Sequence, residues 1–291
     1  MGRLRSQDED GRRAFSQLLR TRRERMKPEQ LGLPPRSTAR TGPPVPGVTQ
    51  AEIDIAMNSG IGVYQKVESG ALRPSPGYLL QLARTMRFKE SEYMQAHLHL
   101  YGTEPKAELF PDSGTVIPAA WEYAVHGQLH MSYAHDRSWR VRFHNATFRT
   151  MFPSGQPPTN MAEWFLFSDE ARDHVLMDYD RSWGPFLMPQ VRLALSRWKD
   201  DPELLRIYEL ILDDKCALRL WDRGETTYMH PDGDRRPMNH GTWGEGEVLL
   251  LAGQPLSSPG ARQMTLPFLR GGQVLIPPQE PTVPEISLAS S

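Results

Sequence analysis

The chain has 291 residues, 38% of them apolar and 24% charged, with a formal net charge of −1, an ordinary composition for one or two folded domains. A single cysteine, Cys216, excludes an internal disulfide and a multi-thiolate metal site. No run approaches the roughly 18 consecutive apolar residues of a membrane span, and the start Met1-Gly2-Arg3-Leu4-Arg5-Ser6 has no apolar leader core, so a cytoplasmic protein without membrane contact is expected.

Charge is segregated along the chain. The first 100 residues hold 16 Lys and Arg against 10 Asp and Glu, whereas the other 191 hold 18 against 25. That division suggests a polyanion-facing module followed by a neutral or acidic one. All seven Trp (121, 139, 164, 183, 198, 221 and 243) fall in the second part.

In chain order, Phe15, Leu18, Leu19 and Met26 have the spacing of one helix face, with Arg12, Arg13, Arg20, Arg22, Arg23 and Arg25 around the rest. The Pro- and Gly-rich stretch 28–47 is expected to be an exposed loop without helix or strand. Thr49 and Glu52 then form a capping box, with Val48 and Ile53 at staple positions, so a helix is predicted from Gln50 that buries Ile53 and Met57 and stops at Asn58-Ser59-Gly60. A second short helix buries Val63, Tyr64 and Val67, leaves Ile61, Gly62, Gln65, Lys66 and Ser69 outward, and ends at Gly70. Ser75-Pro76 opens a helix carrying Leu79, Leu82, Ala83 and Met86, and Tyr93, Ala96, His97 and Leu100 mark a fifth. The expected organisation is an all-α five-helix domain over 1–101, a linker over 102–117, an α/β domain over 118–270 and a disordered tail over 271–291.

In the second domain, Leu129–His135 and Trp139–His144 read as a hairpin across Asp136-Arg137-Ser138, and Asn145 caps a helix with Phe148 and Met151. Helices are predicted near 160–178, 183–198 and 203–213, the last opening on Asp201-Pro202. Strands are predicted at Ala217–Asp222, Thr226–His230, Glu247–Ala252 and Gln263–Phe268, giving one antiparallel sheet with helices on one side.

Two short helices joined by a tight turn in a small helical domain are the layout in which the second helix enters the major groove of DNA. Aligned on Gln50, the segment Thr49-Gln50-Ala51-Glu52-Ile53 through Val67-Glu68-Ser69-Gly70 resembles, without a gap, the helix-turn-helix of phage-repressor-like (XRE-type, lambda-repressor-like) regulators. The resemblance implies that Gln50 and Arg73 contact phosphates and that Ile61, Gly62, Gln65 and Lys66 occupy base-edge positions of a double-stranded operator. Three positions depart from the pattern: a small residue is usual at Asp54, Gly at Asn58, and a capping Ser or Thr at Gly60. A carboxylate at Asp54 needs a partner or must lean toward solvent.

Arg20-Thr21-Arg22-Arg23-Glu24-Arg25, Gly32-Leu33-Pro34 and the helix-turn-helix, followed by an α/β module, resemble actinobacterial XRE-type regulators with an MmyB-like ligand-binding domain, over about residues 12–270. Matching segments are Asp136-Arg137-Ser138-Trp139, His144-Asn145-Ala146, His230-Pro231-Asp232-Gly233-Asp234 with Arg236-Pro237, and Ser257-Ser258-Pro259-Gly260-Ala261-Arg262. The resemblance implies a PAS-like fold with an internal cavity for a fatty acid or similar amphipathic molecule. Read residue by residue, the aromatic surplus serves either core packing or a pocket. Candidate pocket residues are Trp121, Tyr133, Trp164 and Trp221, with His126 or Arg219 as carboxylate anchors.

His126, His130, His135 and His144 invite a metal reading, but Gly127 breaks the helix that would align the first two, and no metal or other cofactor is expected. No nucleophile elbow, zinc-protease helix or phosphate loop is present, so no enzyme is read here. The expectation is a ligand-responsive, homodimeric transcription regulator. The alternative is an adaptor whose degenerate helix-turn-helix serves protein interaction rather than DNA.

Overall fold

The computed structural model describes residues 2–34, 46–106, 108–224 and 232–276. These fall into two compact units, Met1–Ser113 and Gly114–Ser291, dividing inside the stretch 102–117.

The first unit contains α1 (Gly2–Arg25), a 3-10 turn (Pro28–Leu31), α2 (Gln50–Ala56), α3 (Val63–Glu68), α4 (Pro76–Thr85) and α5 (Glu90–Tyr101). The 3-10 turn corrects the expectation of no helix in 28–47: Pro28 at the first helical position has its φ already set. The centre of that stretch lies outside the described residues. Local chemistry sets the helix starts. Thr49 Oγ1 accepts from the Glu52 N–H at 3.2 Å while the Glu52 carboxylate accepts from the Thr49 N–H at 2.6 Å, and Ser75 Oγ accepts from the Tyr78 N–H at 3.2 Å. Phe15 and Leu19 of α1 bury against Ile53, Tyr64, Val67, Leu79 and Leu82. Two of the α1 arginines are internal clamps rather than surface charge. Arg22 donates to the carbonyls of Met86 and Arg87, and Arg23 pairs with the buried Glu68.

The second unit runs α6 (Trp121–His126), β1 (Met131–His135), β2 (Val141–His144), α7 (Ala146–Arg149), α8 (Met161–Phe167), π-helical turns Glu170–Val175 and Tyr179–Trp183, α9 (Gly184–Arg197), α10 (Pro202–Asp213), α11 (Lys215–Asp222), β3 (Arg235–His240), β4 (Gly244–Leu249), β5 (Leu251–Gly253), β6 (Arg262–Leu266), β7 (Phe268–Arg270) and β8 (Gln273–Leu275). Asn145 and Asp201 cap α7 and α10, accepting from the backbone N–H groups of Phe148 and Leu204.

Several expectations change. Two four-stranded antiparallel sheets form, β2-β1-β6-β5 and β3-β4-β7-β8, rather than one. Pro267 separates β6 from β7, and Leu250 separates β4 from β5, so both chain segments pass from one sheet to the other. Strand β3 contains Pro237, which reads against a strand but is tolerated because β3 lies at a sheet edge. Ala217–Asp222 is helical: Asp214 accepts from the Ala217 N–H at 2.7 Å, and Ala217, Leu220 and Trp221 have i, i+3, i+4 spacing on the α10/α9 side. The expected strand Thr226–His230 lies outside the described residues. The expected tail begins with structure instead. Gly271-Gly272, at φ of 60° and 80°, turn a two-residue hairpin that pairs Arg270 with Gln273. The rest of the tail, 277–291, lies outside the described residues.

Helices are also not confined to one side. All five residues of β1 are buried. Tyr133 faces the main core, whereas Ala134 packs with Ile117, Val125 and Ala261, against which Trp121 of α6 lies.

Candidate functional site

In the first unit, α2 and α3 are joined by residues 57–62, so Ile61 and Gly62 precede α3 instead of lying on its outward face. The cause is Gly62, whose φ of 80° caps the helix in the left-handed region that glycine favours. Ile61 stands in the turn at 99% exposure, and Gln65 and Lys66 are exposed on α3. Gln50 donates to Glu68 at 3.1 Å, and Arg73 donates to the Leu100 carbonyl and lies over the Tyr101 ring at 5.2 Å. Both side chains are therefore turned at least partly toward their own domain.

Asp54 explains how this turn tolerates its departures from the usual pattern. It is 3% exposed, and its carboxylate accepts from the Ser59 hydroxyl at 2.9 Å, the Gly62 N–H at 2.7 Å and the Tyr64 N–H at 2.8 Å. A side chain from α2 thus caps α3 and fills the role a Ser or Thr at position 60 would take. Asp54→Ala should cost about 1–3 kcal/mol, because it leaves two backbone donors unmet. Asp54→Asn should cost nearly as much, since its amide NH2 would meet a donor. Thermal unfolding followed by helical circular dichroism checks both, and an Asn variant as stable as the parent would refute the capping role.

In the second unit a narrow cavity of about 50 Å³ lies against the shared face of β1 and β6. Register places Tyr133 opposite Met264 and His135 opposite Arg262, and all four line the cavity. The walls are mostly apolar, with Trp139, Met151, Met161, Phe165, Trp183, Phe186 and Met238 prominent, and the polar groups are Gln190, Arg236 and Arg262 besides Tyr133 and His135. Arg262 donates to the Gln190 carbonyl at 2.9 Å. Arg236 stacks on Phe186 at 3.7 Å and pairs with Asp234 at 2.7 Å. Burial lowers the Arg236 guanidinium from its ordinary value and raises the Tyr133 phenol, so the phenol is neutral. It also holds the His135 imidazole neutral, down to about 3.

The Asp136-Arg137-Ser138-Trp139 segment builds one wall. Asp136 accepts from the N–H groups of Ser138 and Arg140 and from the Arg142 guanidinium, while Arg137 and Ser138 both donate to Asp201. Fixed in this way, Trp139 adopts a φ of 69°, costly for a non-glycine residue, and stacks on His135 at 5.1 Å.

Of the pocket residues expected from sequence, Tyr133 lines the cavity and the other five do not. Trp121 and His126 sit on α6, across the sheet, with His126 3.6 Å from Glu122. Trp164 donates its indole N–H to Glu170 at 2.9 Å and packs on Phe152. Arg219 is exposed and pairs with Asp180, and Trp221 stacks with Tyr208 and Arg192. The groups suited to hold a carboxylate here are Arg236 and Arg262, both inside segments that carried the resemblance but neither assigned a role from sequence. Alternation along β1 was the available signal for His135. Among the described residues, no group of three or more His, Cys, Asp or Glu is placed to hold a metal, and no helix is long and apolar enough to cross a membrane.

Residues 131–269, from the first residue of β1 into β7, match the family model of the MmyB-like transcription regulator ligand binding domain. No curated protein matches this sequence. The second unit thus carries a ligand-binding domain of that type, and the class it points to is a ligand-responsive transcription regulator.

Proposed function

We propose that this protein is a DNA-binding regulator controlled by a small amphipathic, fatty-acid-like effector. The observation that carries the reading is an apolar cavity with arginines among its lining residues, inside the segment that matches a regulator's ligand-binding domain. Its role in this reading is binding rather than catalysis. At about 50 Å³ the cavity has room for a few water molecules, so an acyl chain enters by displacing side chains. Met151, Met161, Met238 and Met264 suit that task, being flexible apolar groups that repack readily.

The first unit is proposed to dock α3 and its preceding turn in the operator major groove, with a homodimer supplying two such contacts on successive half-sites. Exposed Ile61, Gln65 and Lys66 support the assignment. Duplexes selected from a randomised pool should bind with affinity that falls steeply as salt is added. Combined Gln65→Ala and Lys66→Ala replacement should weaken binding by roughly 1–3 kcal/mol, about 5- to 150-fold. An absent or salt-insensitive interaction would favour the adaptor instead. Long-chain fatty acids titrated into the protein should alter the emission of Trp139 and Trp183 and shift operator affinity; no response in either refutes the effector assignment.

A further inference from the structure

We propose that each operator half-site carries a thymine whose C5-methyl group seats against Ile61, so that a side chain unable to hydrogen-bond selects one base of the sequence. This rests on the first unit docking on DNA and adds the chemical identity of a base that the docked turn requires.

Ile61 is 99% exposed, more than any other large apolar side chain among the described residues. Its neighbours in the chain, Gly60 and Gly62, have no side chains, and one added at Gly62 would meet nothing within 4 Å. Ile61 therefore projects alone from the turn ahead of α3. The backbone beneath it is pinned rather than loose. The buried Asp54 carboxylate holds the Ser59 hydroxyl on one side of Ile61 and the Gly62 and Tyr64 N–H groups on the other, and the Gly60 carbonyl accepts from the Val63 N–H at 3.1 Å. A β-branched side chain on a fixed backbone has little freedom left to lose on contact.

Charge says what meets it. From Ile53 to Lys89 the chain has two carboxylates, Asp54 and Glu68, against the cations Lys66, Arg73, Arg84, Arg87 and Lys89. Both carboxylates are buried and taken up by internal hydrogen bonds, while Lys66 is exposed on the helix that follows Ile61. A polyanion is drawn to such a surface, and a duplex shows a docked helix its base edges through the major groove. Most of what those edges offer is donors and acceptors, which an isoleucine strips of water without replacing their hydrogen bonds. The thymine methyl is the apolar group on that floor. Ile61 thus gains at thymine and is penalised where the same place presents only polar atoms, so attraction and exclusion select the same base.

The test uses duplexes that the full chain selects from a randomised pool, with each thymine replaced in turn by deoxyuridine, which lacks only the C5-methyl. One position in each half-site should weaken binding about fourfold, the value of burying one methyl-sized group, and replacing both together should cost about tenfold or more. The slope of affinity against salt should stay as it was, because no charge is removed. In Ile61→Ala the same replacement should cost less than about twofold. Selected duplexes that bind but in which no deoxyuridine replacement costs about twofold overturn the proposal and leave the DNA-binding reading in place. A methyl effect that persists in full in Ile61→Ala belongs to another side chain and also overturns it. Selection of no duplex at all overturns the DNA-binding reading and the proposal together. The deoxyuridine series uses the unaltered protein, so it can refute the proposal whatever the variant does, and Ile61, almost wholly in water, can be cut back without loss of core packing.

Discussion

Replacing Asp201 by alanine is expected to destabilise the second unit by about 3–5 kcal/mol, the cost of leaving a buried cation without its partner. Asp201 is 5% exposed and accepts from Arg137 Nε at 3.0 Å and Nη2 at 2.9 Å, from the Ser138 hydroxyl at 2.8 Å, and from the Glu203 and Leu204 N–H groups at the start of α10. One carboxylate thus joins the turn after β1 to a helix more than sixty residues on. Asp201→Asn keeps some acceptor capacity but loses the charge, so its cost should be intermediate. All seven Trp lie beyond residue 113, which makes urea denaturation followed by tryptophan fluorescence a readout of this unit. A loss below 1 kcal/mol in the alanine variant would show that the network is dispensable.

Glu68→Ala is expected to have an effect of similar size in the first unit, about 3–5 kcal/mol, by the same physics. Glu68 is 3% exposed and receives Arg23 Nε at 2.8 Å, Arg23 Nη2 at 3.1 Å and Gln50 Nε2 at 3.1 Å, which ties α1, α2 and α3 together. Burial alone would raise its carboxyl, yet the hydrogen bonds and charge of Arg23 hold it below its ordinary value of 4.5. The sign for stability follows. A carboxyl lowered in the folded state contributes fully above the unfolded value and loses that contribution as the pH falls through the folded one. The first unit should therefore weaken below about pH 4.5 in the parent, and this part of the pH dependence should vanish in Glu68→Gln. Circular dichroism melts across pH 2–7 check both points, and an unchanged acid limb in the variant would contradict the assignment.

What the sequence disclosed and what it hid divide along a physical line. Caps were readable because they are local: Thr49 with Glu52, Ser75, Asn145 and Asp201 each act within three residues along the chain. The Asp54 cap was not, because its acceptor sits eight and ten residues before the N–H groups it meets. A short apolar run such as Ala217–Asp222 fits either period, and the Asp214 cap makes it a helix. Gly271-Gly272 is a hairpin signal in a stretch whose four prolines argue against regular structure.

The cavity was the least legible part. The size of a tryptophan does not say which side of a sheet its ring occupies. Trp121 ended across β1 from the cavity, Trp221 on the outer helices, and Trp164 in a hydrogen bond to Glu170. The lining instead draws on methionines and on Arg236 and Arg262, and Arg262 and Met264 are placed by the β1–β6 register between residues more than a hundred apart. Periodicity gives the face of a strand but not its neighbour.

The crossings at Leu250 and Pro267 have a mechanical consequence. Two lengths of chain each serve both sheets, and the Leu249 N–H bonds to the Pro267 carbonyl at 2.9 Å where they turn. The sheets behave like the covers of a book sharing a stitched spine, and Leu250 at that spine is itself part of the cavity lining. A guest cannot prise them apart without tearing the binding, so room for it comes from furniture inside, the swing of thioether and aromatic side chains, while the frame keeps its shape.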